Sequence, residues 1–255
     1  MSHLSIMVFP NPADEVARSA NPSPFCVKLE LYCKAASVPY DKPKLAAGDM
    51  GPTGKLPYAK FTSTDVVSDS AVIIARLIKD GFELDADLEE AQKVQARLIA
   101  TMCEDKLYFT IVYFAWQVDA NWPGTRAEFF SSVPCVLRGF ISKQARKGLV
   151  GALRGQGMGR RPKDEVVDLG KQVIDDLSFL LGDKRNFFDT PKITTADVVV
   201  YAMLERLVFA DLAVNPIGEY VKTKPTLMAF ISSIAEQYFP EYHANQQKAL
   251  APSSS

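Results

Sequence analysis

The chain has 255 residues, 47% of them apolar and 23% charged, enough to bury a full core and to reach the size range in which a second domain forms. Twenty-nine Lys and Arg offset 30 Asp and Glu to a formal charge of -1, so the electrostatic footprint of a nucleic-acid binder is missing. The four cysteines are scattered rather than arranged as a disulfide framework, and no apolar run approaches the roughly 20 residues that cross a bilayer, so the expectation is a cytoplasmic protein in a reducing compartment.

Met1 to Pro10 lacks the basic start and cleavage site of a signal peptide, and Leu4 to Phe9 reads as a short strand buried on both faces. Asn11 to Pro22 is a polar stretch. Pro24 to Ser37 reads as the first helix, with Ser23 at its N-cap and Pro24 at the favoured first helical position. Pro39 to Leu45, Pro57 to Phe61 and Asp65 to Val67 read as further strands, the last two joined by a Thr62 to Thr64 turn, and Ser70 to Lys79 reads as a helix. Strand, helix, strand, hairpin and helix within about eighty residues predict a small α/β layer with a mixed sheet.

Residues 81–88 read as a linker, and 89–245 show helical spacing with few strand signals, so the second domain is expected to be all helical. Glu165 to Leu181 carries Val166, Val167, Val173, Ile174, Leu177, Leu180 and Leu181 on one stripe, with Gly182 as its stop. Thr194 and Asp197 have the spacing of a capping box, and Ile193 with Val198 that of a hydrophobic staple. The run Val198 to Phe209 is apolar almost all round and is expected at the centre of the helical domain. The tail from His243 is polar and small, with 246–255 expected to fray.

The stretch Ser23-Pro24-Phe25-Cys26-Val27-Lys28-Leu29-Glu30 resembles the start of the first helix in glutathione transferases and their thioredoxin-like relatives. Three further motifs follow in the family's order. Gly54-Lys55-Leu56-Pro57-Tyr58 looks like the loop that brings a cis-proline to the ligand, Ser68-Asp69-Ser70-Ala71-Val72-Ile73 like the acid-serine step, and Ile193-Thr194-Thr195-Ala196-Asp197 like the helical domain's capping motif. The resemblance implies an N-terminal thioredoxin-like domain with a mixed four-stranded sheet, residues 1–80, followed by an all-helical domain. Within the superfamily the chain is most similar to the branch of the failed-axon-connections proteins and metaxins, through the Ser-Pro-Phe-Cys start and the segment Gly155 to Arg160. It departs from the pattern in the insert Asn11 to Pro22.

Carried onto these residues, the resemblance places the glutathione sulfur at Ser23, where a helix N-terminus and one hydroxyl favour a thiolate. The plainer reading of Ser23 is an N-cap. Cys26, one turn along, is a second candidate able to form a mixed disulfide if exposed, weighed against the burial common for a free cysteine. A dithiol cycle is unavailable with Ser at position 23, and Cys33 reads as structural. Leu56, before a predicted cis bond to Pro57, is expected to offer its backbone to the cysteinyl unit in a strand-like manner. Asp69 and Ser70 are expected at the γ-glutamyl end, pairing with ammonium and carboxylate, against the plainer reading of a capped helix start. Lys55 is a candidate partner of the glycyl carboxylate or a solvated loop lysine.

Tyr108, Phe109, Tyr113, Phe114, Trp116 and Trp122 are candidates to line a pocket for a small apolar electrophile, although aromatics at helical spacing are more often core. The cluster Arg138, Lys143, Arg146, Lys147, Arg154, Arg160, Arg161 and Lys163 reads as a solvated face, or as a site for an anionic co-substrate or membrane surface. Gly155, Gly157 and Gly159 follow no strand and make no dinucleotide fingerprint. His3 and His243 stand at opposite ends without a ligand cluster, so no metal is expected. The reading is a glutathione transferase acting on a small electrophile, in a homodimer as the family implies. The alternatives are a non-catalytic adaptor using the insert as an interaction loop, and a glutathione-dependent lyase, dehalogenase or reductase.

Overall fold

The computed structural model describes residues 4–10, 17–46 and 48–251. Strand β1 (Leu4–Met7) lies between β2 (Tyr40–Asp41), which is parallel to it, and β3 (Tyr58–Lys60), which is antiparallel; β4 (Val66–Ser68) pairs with β3 at the edge. The order β2-β1-β3-β4 is the mixed four-stranded sheet expected. Register is fixed by Leu4 opposite Tyr40, Ile6 opposite Ala59 and Tyr58 opposite Ser68. β1 stops at Met7 instead of Phe9, and β2 shrinks from the expected 39–45 to two residues, because Lys42 turns out of the ladder to meet Glu30 at 2.6 Å. Most of the Asn11 to Pro22 insert, residues 11–16, lies outside the described residues, as do His3 and residues 252–255.

Helix α1 (Pro24–Ala35) is buried almost all round, down to its charged residues Lys28 and Glu30. That burial follows from its position, packed both on α2 (Ser70–Lys79) and on the helical domain's α8 (Thr195–Phe209). Lys28 is satisfied by Glu104 at 2.6 Å, and Glu30 by Lys42. A buried charge is tolerated only with such partners.

The segment from Glu90 to Gln117 is one long helix: α3 (Glu90–Met102), a π turn at Cys103–Leu107, α4 (Tyr108–Val112), and a second π turn at Tyr113–Gln117. It is followed by α5 (Trp122–Phe130), α6 (Cys135–Gln156) and α7 (Lys163–Leu181). α7 ends at Gly182 with φ 55, as the sequence signals, but Leu180 from the predicted stripe is exposed. α8 is buried from Ala196 to Phe209. Its start is held by Asp197, whose carboxylate accepts from the Thr194 N–H at 2.7 Å, the Thr194 hydroxyl at 2.6 Å and the Phe187 N–H at 2.8 Å. Burial holds the Asp197 pKa above the usual carboxylate value despite those bonds.

Three helices close the domain: α9 (Pro216–Lys222), α10 (Pro225–Tyr238) and α11 (Pro240–Leu250). α11 corrects the expectation of a fraying tail from His243. Gln246 is 1% exposed and donates to the Arg18 carbonyl at 2.6 Å, and Asn245 donates to the Ala17 carbonyl at 3.0 Å, so contacts made far away in sequence order this polar segment. No helix among the described residues is long and apolar enough to cross a membrane.

Candidate functional site

Ser23 sits at the N-cap of α1 in extended conformation, its carbonyl accepting from Cys26 and Val27 at 3.0 and 3.1 Å. Its side chain, however, makes no capping bond to the helix. The plain N-cap reading therefore holds for the backbone and not for the hydroxyl, whose neighbour is the Cys26 thiol.

Cys26 is fully buried among Met7, Leu56 and Tyr58. Desolvation pushes its thiol up to about 12, against the smaller opposing effect of hydrogen bonds with the Phe9 backbone and the Ser23 side chain. A thiol so placed is neither exposed nor ionised near neutral pH, which corrects its candidacy as a second nucleophile. The reason is packing: the face of α1 that carries Cys26 is the one laid against the Leu56 loop. Cys33 is likewise buried, with its thiol pushed up to about 12 by desolvation.

The Leu56–Pro57 bond is cis. Leu56 packs on Cys26, and the Pro57 carbonyl accepts from the Asp69 N–H at 3.3 Å, so the α1 tip, the proline loop and the start of α2 are joined through direct contacts. Lys55, immediately before, is exposed to solvent. The loop is braced by Asp49, which accepts from the Tyr58 hydroxyl at 2.7 Å and the Gly51 N–H at 2.9 Å. Gly51 has φ +66, and an added Cβ would lie 2.4 Å from the Tyr58 ring, so only glycine fits this turn.

Asp69 caps α2, accepting from the Ala71 N–H at 2.8 Å, with φ 78 in the left-handed region that aspartate tolerates better than most residues. It is exposed, while Ser70 behind it is 3% exposed. Next to it, the Ser68 hydroxyl is buried without a hydrogen-bond partner among the described residues. An exposed carboxylate, a helix N-terminus and an unpaired hydroxyl together suit a zwitterionic ligand end.

Aromatic rings flank the α1 tip. Phe25 meets Tyr108 edge-on at 4.6 Å, and Phe9, beyond the end of β1, meets Phe129 at 5.4 Å, which in turn packs on Trp116 at 5.1 Å. Phe9, Phe25, Tyr108, Phe109, Trp122 and Phe129 are half-buried, whereas Tyr113, Phe114 and Trp116 are core. Sequence reasoning missed Phe9 and Phe129, whose proximity depends on how α5 folds back. It also missed Asn21, although the Asn21-Pro22 pair is a turn signal.

The basic cluster does not converge. Arg138 donates to the Ser131 and Val133 carbonyls at the end of α5, Arg146 to the Trp116 carbonyl at 2.8 Å and to Asp119, and Arg161 pairs with Glu165. Lys143, Lys147, Arg154, Arg160 and Lys163 are exposed. His243 shares hydrogen bonds with Ser232 and Gln247. A groove of 680 Å³ lies at the opposite end of α1, lined among others by Lys34, Tyr40, Tyr238 and Glu241, but the Lys34 amine already donates to the Tyr238 carbonyl.

Comparison with known proteins agrees with this geometry. The family models "Glutathione S-transferase N-terminal domain" and "Glutathione S-transferase, C-terminal domain" match residues 24–122 and 170–234. The isoprene-epoxide–glutathione S-transferase of Rhodococcus sp. (strain AD45) is 33% identical over 230 residues, covering 85% of this chain and 92% of that protein. The chain belongs to the glutathione S-transferase family. Human metaxin-2 is 26% identical over 193 residues, covering 75% of this chain and 73% of its own, which places a metaxin among this transferase's relatives. The beta-etherase LigF from Sphingobium sp. strain SYK-6 superposes with a TM-score of 0.62 at 15% identity, covering 97% of this chain and all of that one, and shows the shared fold.

Proposed function

We propose that the protein binds glutathione along the α1 tip, the proline loop and the start of α2, and activates its thiol for attack on a small apolar electrophile. The observation that carries this reading is the Ser23 hydroxyl, set at a helix N-terminus yet making no bond to its own helix. A partial positive charge of about one half at that terminus favours a thiolate over a thiol. The Ser23 hydroxyl donates to the sulfur, Leu56 offers its backbone to the cysteinyl unit, Asp69 pairs with the ammonium, and Ser70 with the N-terminus of α2 receives the γ-glutamyl carboxylate. Lys55 is close enough in sequence to this loop to serve the glycyl carboxylate.

The thiolate sulfur then attacks an electrophilic carbon. A carbon–sulfur bond forms, the bond to the leaving oxygen or halide breaks, and an oxygen leaving group takes a proton from water. The aromatic rings at Phe9, Phe25, Tyr108 and Phe129 give the co-substrate an apolar wall beside the sulfur. An epoxide is one such electrophile, the class carried in the name of the Rhodococcus relative. Lyase, dehalogenase or reductase chemistry would use the same bound thiolate.

Isothermal calorimetry with glutathione tests the site. The wild type is expected to bind, and Asp69→Asn, which keeps the cap but loses the charge, to bind about tenfold more weakly. Ser23→Ala is expected to bind glutathione and to lose most turnover with an epoxide. Absence of wild-type binding would overturn the transferase reading. It would favour the adaptor reading, which draws on the metaxin-2 relationship and on the exposed Val136 and Phe140 of α6.

The protein is placed in the cytoplasm on its free thiols, and a fluorescent fusion reads that directly. A homodimer through the face between the domains has support in the exposed Val72 of α2 and Leu98 of α3, and light scattering on Leu98→Asp reads it as a drop to monomer mass.

A further inference from the structure

We infer that Asn21 is a positioning residue for Ser23, and that the helical domain locks it in place through a hydrogen-bonded clasp of Ser19, Glu205 and Gln246. The positioning rests on the glutathione reading only in what it serves; the clasp itself stands on contacts within the chain.

Asn21 is 1% exposed. Its amide donates to the Phe9 carbonyl at 2.7 Å and its carbonyl oxygen accepts from the Ser23 N–H at 3.1 Å, so one carboxamide joins the end of β1 to the residue at the α1 tip. Its rotation is fixed by both ends of the amide, and through the Ser23 N–H it sets where the Ser23 hydroxyl stands. Alanine would leave a buried donor and a buried acceptor without partners.

The chain leading into Asn21 is held from the other domain. Gln246 of α11 donates to the Arg18 carbonyl, and the Ser19 hydroxyl lies 2.9 Å from the Asn21 carbonyl and 2.8 Å from Glu205 Oε2. A hydroxyl carries one proton. Both oxygens are satisfied together only when Glu205 is protonated and donates to Ser19, which passes its own proton to the Asn21 carbonyl. The surroundings favour that state. Glu205 is 1% exposed on α8, where desolvation pushes its carboxyl up to about 8. Of the charges that face it, Arg206 is neutralised by Glu128, which approaches with both carboxylate oxygens, and Gln246 Nε2 is 3.5 Å from its other oxygen. Tyr201 on the same helix is held protonated by burial.

Deprotonation of Glu205 turns the Ser19 proton toward the new carboxylate, since a charge-assisted bond is the stronger one, and releases the Asn21 carbonyl. The clasp therefore loosens as pH rises past the carboxyl's pKa.

Amide hydrogen exchange at Ser23 reads the clasp without any ligand. The expected result is strong protection in the wild type, loss of protection by about tenfold or more in Asn21→Ala and in the half-exposed Ser19→Ala, and weakening of wild-type protection above about pH 8. Glu205→Gln, whose amide donates to Ser19 at every pH, is expected to keep Ser23 protected there. With glutathione bound, the thiolate absorbance of Asn21→Ala should titrate about one unit higher than that of the wild type, with affinity changed less than about threefold. Unchanged exchange at Ser23 in both alanine variants overturns the inference. Altered exchange together with no glutathione binding by the wild type keeps the clasp and removes the transferase reading instead.

Discussion

Cys26, Cys33 and Cys103 are buried with their thiols pushed up by desolvation, while Cys135 opens α6 at the surface. Thiol titration with a small chromogenic reagent should thus count one reactive cysteine in the native chain and all four in denaturant. Two or more native equivalents would mean that the α1 face opens. Glu205 gives a second expectation at this scale. Its carboxyl rises from an ordinary 4.5 to about 8 on folding, so the folded chain holds that proton more tightly than the unfolded one. Stability from this group is present at low pH and falls as pH rises from about 4.5 to about 8. Glu205→Gln removes the titration, and its melting temperature should gain on the wild type steadily across that window. A constant difference would contradict it. What was legible here depended on locality. Pro57, Asp69 and Ser23 are marked by turn and cap chemistry that neighbours in sequence determine, and the structure places them as that chemistry requires. The burial of Cys26 depends on which face of α1 meets a loop thirty residues on, and Asn21 finds its partner in Phe9, twelve residues back, so neither showed in the pattern.

At the scale of elements, α8 depends on its first turn. Asp197 satisfies two backbone N–H groups and one hydroxyl in a site closed to water. Asp197→Ala leaves them unpaired, and a loss of about 2–4 kcal/mol is expected in urea unfolding. A loss below about 1 kcal/mol would mean that water replaces the carboxylate. Amphipathic helices such as α7 and caps such as Thr194 were readable because a stripe or a cap is a local statement. The two-residue β2 was not, since Glu30 on a different element draws Lys42 from the ladder. α11 was not either, because a polar helix is ordered only by what it touches, here the loop that leads to Ser23.

Across the whole molecule, the two layers are bound through α1. It packs on α8, Lys28 reaches Glu104 in the long helix, Tyr32 donates to the Phe82 carbonyl at 2.6 Å, and Asp85 accepts from the Thr195 N–H at 2.8 Å. With such contacts, helical circular dichroism and the fluorescence of Trp116 and Trp122 should report one coincident urea transition. Separate midpoints would show that the sheet layer unfolds on its own.

Each π turn of the long helix holds one residue more than an α turn would, and so carries a one-residue allowance in the chain. Deleting a residue within Cys103–Leu107 would relax that turn into ordinary α-helix and leave the backbone hydrogen bonding continuous. It would also rotate the two halves by about 100° relative to one another, turning Tyr108 away from Phe25. Such a deletion would spare the helix and dismantle the aromatic wall beside Ser23, a route by which the co-substrate could change while the thiol site did not.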